Sequence, residues 1–86
     1  NFQLFPAYPN PFNPIVMIDY SIDTASDIHL IVYDLQGNLI TTLVNDYLTP
    51  AFYTASWDAK DHSSGIYFVS ITSQDLTQTQ KIILLK

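Results

Sequence analysis

Apolar and polar residues alternate along most of this chain in short runs, each ended by a cluster of turn-forming residues. Side chains of an extended chain point to opposite faces in turn, so this period of two describes strands with one buried face. Val16, Ile18, Tyr20 and Ile22 alternate with Met17, Asp19 and Ser21. The polar turn at residues 23–27 leads to a second run, in which Ile28, Leu30 and Val32 share one face and His29, Ile31 and Tyr33 the other. Asp34, Gln36, Gly37 and Asn38 then read as a hairpin turn. Asp34 can accept from nearby N–H groups there, and Gly37 supplies a positive φ. Residues 39–44 are the returning strand, and 45–51, with Asn45, Asp46 and Pro50, are expected to be a longer connection. Strands over 52–57, with Tyr53, Ala55 and Trp57 inward, and over 66–72, with Tyr67, Val69 and Ile71 inward, flank the polar loop 58–65. A turn at 73–75 precedes a last strand over 77–86. No segment carries a helical stripe. About seven short strands at this spacing predict an all-β, immunoglobulin-like antiparallel sandwich, with residues 1–86 as one domain.

The opening segment breaks the alternation. Pro6, Pro9, Pro11 and Pro14 each remove a backbone donor and force the preceding residue into extended geometry, which predicts a stiff, turning, unladdered segment over 5–14. Phe5, Tyr8 and Phe12 lie between the prolines and are expected to pin it against one end of the core.

Charge and composition narrow the function classes. All eight acids are Asp, all three bases are Lys, and Cys is absent. Thiolate chemistry and disulfides are therefore excluded. A net charge of −5 with scattered Lys60, Lys81 and Lys86 offers no basic stripe for nucleic acid and no polybasic patch for a membrane. The longest apolar runs fall far short of a membrane span. No signal peptide is visible at the start, so the chain reads as a fragment or as one whose upstream segment has been removed.

Three groups of residues invite chemistry. Asp58, Asp61 and His62 could offer oxygen and nitrogen ligands, but a calcium loop supplies more acids at alternating spacing, and turn capping explains these residues more simply. No metal or cofactor site is expected. No nucleophile and base pair stands out, and the reading is of a non-enzyme. Tyr20, Tyr33, Tyr53, Trp57 and Tyr67 could form a carbohydrate-stacking platform, although Tyr53, Trp57 and Tyr67 fall on inward phases and serve a core more economically. Thr24, in Asp23-Thr24-Ala25, falls on the polar turn, where its hydroxyl would be accessible to O-glycosylation.

The most unusual segment is Lys81-Ile82-Ile83-Leu84-Leu85-Lys86, where consecutive apolar residues put apolar groups on both faces of one strand. Either the opening segment covers the second face, or a partner reads the strand through edge pairing and side-chain pockets.

Several blocks carry a family resemblance. Tyr8-Pro9-Asn10-Pro11-Phe12-Asn13-Pro14 followed by Ile18-Asp19-Tyr20, then Val32-Tyr33-Asp34-Leu35-Gln36-Gly37-Asn38, Trp57-Asp58, Ser64-Gly65-Ile66-Tyr67-Phe68 and the final Lys81–Lys86 run together resemble the type IX secretion system C-terminal sorting domain. That family overlaps the immunoglobulin-like domain of the flagellar hook-capping protein. Ala51 and Ala59 stand where the family commonly has Gly, and the loop from Asp58 to Gly65 is the short version. The resemblance implies a C-terminal address for secretion to the cell surface or medium, often removed after export. Its implied partner is the secretion machinery of the outer membrane, and it favours recognition as the role of Lys81–Lys86. A second expectation is structural. A domain able to act alone, with apolar edges guarded by only three lysines, could join other copies of itself by strand pairing or strand exchange into an extracellular filament or layer.

Overall fold

The computed structural model describes residues 2–86. Among them the alternating runs become seven strands: β1 (Phe2–Leu4), β2 (Ile15–Ile22), β3 (Ser26–Asp34), β4 (Leu39–Leu48), β5 (Ala51–Asp58), β6 (Gly65–Ser73) and β7 (Leu76–Leu84). Every pairing between them is antiparallel. One sheet has the order β1-β2-β5 and the other β4-β3-β6-β7, which is the three-on-four layering of an immunoglobulin-like sandwich.

The inward phases meet between the layers. Val16 and Ile18 from one sheet face Ile28, Leu30, Val32, Val69, Ile71, Ile82 and Leu84 from the other, all fully buried. Each such side chain stabilises the fold by about 1.5–3 kcal/mol relative to exposure. Trp57 sits at one end of this core, tilted against Phe12 at 5.8 Å and edge-on to Tyr67 at 5.2 Å. The Tyr67 hydroxyl donates to the Ser63 carbonyl at 2.7 Å. That bond, from the start of β6 back to the loop before it, is the tyrosine corner of this sandwich class.

Several details differ from the sequence reading. The last strand ends at Leu84 and not at 86, and the opening segment, expected to be unladdered, bridges Met17 through Tyr8 and Leu84 through Phe12, because the residues between its prolines keep their N–H groups. Phe2–Leu4 forms a strand, although three residues carry too little pattern to show it. β3 starts at Ser26, so the turn before it is shorter than 23–27. β4 runs on to Leu48, and the expected connection over 45–51 shrinks to Thr49 and Pro50, which carry the chain from one sheet to the other. Asn45 and Asp46 resemble breakers, but on an exposed edge strand their side chains are simply solvated. Finally, Phe12 anchors the opening segment as expected, whereas Tyr8 is 48% exposed. Its hydroxyl turns outward to Asp19 Oδ1 at 3.3 Å.

The C-terminal strand as candidate recognition site

β7 is an edge strand, paired only with β6, and its outer side meets the opening segment. Phe12 makes an isolated parallel bridge with Leu84. Its N–H donates to the Ile83 carbonyl at 2.8 Å, and the Leu85 N–H donates to the Phe12 carbonyl at 3.0 Å. Asn10 extends this pairing with its side chain: Nδ2 donates to the Lys81 carbonyl at 3.1 Å and Oδ1 accepts from the Ile83 N–H at 3.0 Å. Pro9, Pro11, Asn13 and Pro14 shape the segment that delivers these two residues, and the Tyr8-Pro9, Asn10-Pro11 and Asn13-Pro14 peptide bonds are cis.

Further up the strand the direction of bonding reverses, and β7 supplies the side chains. Gln78 Oε1 accepts from the Leu4 N–H at 2.8 Å while its Nε2 donates to the Phe2 carbonyl at 3.2 Å. Gln80 repeats the pattern on Ala7 N–H at 2.8 Å and the Phe5 carbonyl at 2.7 Å. A primary amide offers a carbonyl acceptor and N–H donors as a peptide unit does, so each glutamine stands in for a strand residue between β7 and residues 2–7. The sequence reading missed this role. Its signal is visible in hindsight, since Gln78 and Gln80 occupy the same inward phase as Ile82 and Leu84.

Within Lys81–Lys86 the two faces part company. Ile82 and Leu84 are fully buried, Ile83 is half-buried, and Leu85 is 55% exposed. Lys81 and Lys86 are exposed. The Lys86 N–H donates to Ser64 Oγ at 2.9 Å and its ammonium donates to the Lys60 carbonyl at 2.6 Å, tying the end of the chain to the loop before β6. The strand therefore offers a partner the side chains of Lys81, Ile83, Leu85 and Lys86. Its backbone edge over 81–85 is already bonded to Asn10 and Phe12.

The remaining motif residues gather around the same end. Asp34 is in register with Tyr67, and Gly65 with Leu84. The Ala59 N–H donates to the Pro14 carbonyl at 2.9 Å. Asp34 Oδ1 accepts from the Gln36 and Asn38 N–H groups at 3.0 and 2.9 Å, and Gly37 takes φ +88°. The Asn38 N–H holds the Asp34 carboxyl below the ordinary aspartate value against a desolvation penalty, with help from the Asn38 side chain and the Gln36 and Gly37 N–H groups. Asp58 Oδ1 accepts from the Lys60 N–H at 3.1 Å, a turn cap. His62 packs its ring against Trp57 at 5.4 Å. Among the described residues no group of three or more acidic, His or Cys side chains is placed to hold a metal ion. Of the five platform aromatics, Tyr20, Trp57 and Tyr67 are buried and Tyr53 is half-buried, stacked on Tyr20 at 5.5 Å. Tyr33 stacks instead on Phe68. They share no outer surface. Thr24 is exposed at the opposite end of the sandwich, on the turn between β2 and β3.

No helix among the described residues is long and apolar enough to cross a membrane. No curated protein and no solved structure matches the chain. The family model described as the secretion system C-terminal sorting domain matches residues 6–85, which takes in the opening segment, the Asp34 hairpin, the Trp57 and Tyr67 corner and the strand that all of them surround. The chain belongs to the family of secretion system C-terminal sorting domains.

Proposed function

We propose that this domain is a non-catalytic address, read by the type IX secretion machinery through the outward side chains and the end of its last strand, Lys81–Lys86. Membership of the family marks the protein for secretion to the cell surface or extracellular space, and sorting domains are generally non-catalytic. The observation that carries the finer reading is the asymmetry at the end of β7. Ile82 and Leu84 hold the strand in the core, while Leu85, just past the end of β7 and bonded through its N–H to the Phe12 carbonyl, keeps an apolar side chain 55% exposed. An exposed apolar group fixed beside a rigid strand is suited to a partner's pocket.

The test is an export assay in a bacterium with a type IX system, using a reporter fused to residues 1–86. The intact fusion should reach the medium or the cell surface. A fusion lacking Leu85 and Lys86 should stay in the periplasm while its circular dichroism remains that of a folded sandwich. Unchanged export of the shortened, folded fusion would overturn the assignment to this strand. Polymerisation through β7 finds no support in the geometry, because Asn10 and Phe12 already occupy the edge it would need.

A further inference from the structure

A two-sheet sandwich has four strand edges, and here three of them are protected. The edges of β1 and β7 face each other and are closed by Gln78, Gln80, Asn10 and Phe12. The edge of β4 is broken twice: its register against β3 shifts between Leu30 and Ile31 and again between Val32 and Tyr33, leaving Leu43 and Ile40 without a register partner. Bulges of this kind twist an edge away from regular pairing. β5 has no such device. It pairs with β2 through all of Ala51–Asp58 without a shift, it contains no proline or lysine, and its other side has no strand. Beside it the seam between the sheets is only half closed. Ile40, Leu43, Val44 and Leu48 of β4 and Tyr53 and Ala55 of β5 are partly buried there, where the opposite seam has its row of amide bonds.

The charge around this edge has one sign. Residues 15–58 contain Asp19, Asp23, Asp27, Asp34, Asp46 and Asp58 and no lysine. Asp19 lies beside β5 on the outer face, accepting from the Thr54 hydroxyl at 2.7 Å. Asp46 lies on the seam side, near enough that its field, after burial and Tyr53, helps to raise the Tyr20 phenol. Asp58 closes the strand. Lys60 and Lys86 are held together beyond that end, and Lys81 is on β7.

We infer that the open edge of β5 is a second binding surface, which takes an extended basic peptide segment as an added strand. Main-chain bonds to β5 would hold the segment, alternate apolar side chains would fill the half-closed seam, and lysines or arginines between them would meet Asp19 and Asp58 on the outer face. A second copy fits the same edge less well than a basic segment, because it brings the same net charge of −5. The surface is separate from Lys81–Lys86 and does not depend on how that strand is read.

Nuclear magnetic resonance titration of the 86-residue chain tests this with two synthetic peptides, one alternating valine with lysine and the other valine with glutamate. The lysine peptide should shift amides of Ala51–Asp58 and the seam residues of β4, slow exchange of β5 amides, and bind about tenfold more tightly than the glutamate peptide, as expected for two exposed charge pairs. The double variant Phe52→Lys/Ser56→Lys, at two exposed positions, should weaken the lysine peptide by a similar factor while keeping its own amide dispersion. Equal affinity for the two peptides, shifts confined to β7, no binding at millimolar peptide, or concentration-dependent dimers joined through β5 would each overturn the inference.

Discussion

Asp34 shows how one side chain fixes a turn in an exposed place. Its carboxylate gathers two N–H groups of the loop and, through Oδ2, the Asn38 side chain at 3.1 Å, while Gly37 adopts the positive φ that closes the turn. These donors favour the charged form, so the folded carboxyl binds a proton less readily than the unfolded one. The contribution is thus complete above the ordinary aspartate value and is lost as pH falls towards the lower folded value. Amide resonances of Gln36 and Asn38 should accordingly titrate with a midpoint below that of an unstructured aspartate, and Asp34→Asn should abolish the step. A midpoint at or above the unstructured value would contradict the geometry. This residue was fully legible in the sequence, because turn chemistry is local and Asp34 and its donors lie within four positions of one another.

At the scale of elements the most informative piece is the opening segment, whose bonds were largely hidden from the sequence. Its proline spacing foretold stiffness, and Phe12 was foreseen as an anchor. The glutamine clamp was not foreseen, because Gln78 reaches Leu4 across a separation of 74 residues through side-chain atoms, and no local pattern encodes such a bond. The same limit explains Tyr8: its place between the prolines suggested a role shared with Phe12, yet alternation across the adjacent β2 puts it beside Asp19 on the outer face. Each glutamine serves a different stretch, Gln78 residues 2–4 and Gln80 residues 5–7. Replacing either with alanine leaves one donor and one acceptor of a half-buried backbone without a partner, a loss of about 1–2 kcal/mol. Urea unfolding should show that loss for Gln78→Ala and for Gln80→Ala. Hydrogen exchange should separate them, with Leu4 deprotected in the first variant and Ala7 in the second. Parallel deprotection of both stretches by either substitution would mean that the segment detaches as a unit.

For the whole molecule, alternation decided which faces are buried, but it could not decide how the layers close at their sides, since closure depends on long-range partners. The sandwich has one sealed seam and one half-open seam, and the seal is provided by the opening segment together with Gln78 and Gln80 of β7. β7 needs that seal most. Its Ile82 and Leu84 are fully buried, and its outer backbone groups are those that Asn10 and Phe12 satisfy. Without the first nine residues, β2 would lose its β1 partner and the Gln78 and Gln80 amides would lose theirs, while Phe12 would remain to hold the Trp57 end of the core. Such a chain would present the β2 edge and the Gln78–Gln80 half of the β7 edge unsealed side by side, a template for pairing with other copies. Deleting residues 1–9 should therefore convert the protein to concentration-dependent oligomers in sedimentation velocity, with the near-ultraviolet signal of Trp57 retained. The full chain should sediment independently of concentration over the same range. If the shortened chain stays monomeric and folded, the segment's bonds to β7 position the strand without guarding it, and exposed apolar residues such as Leu85 would be the only feature of that edge available to a partner.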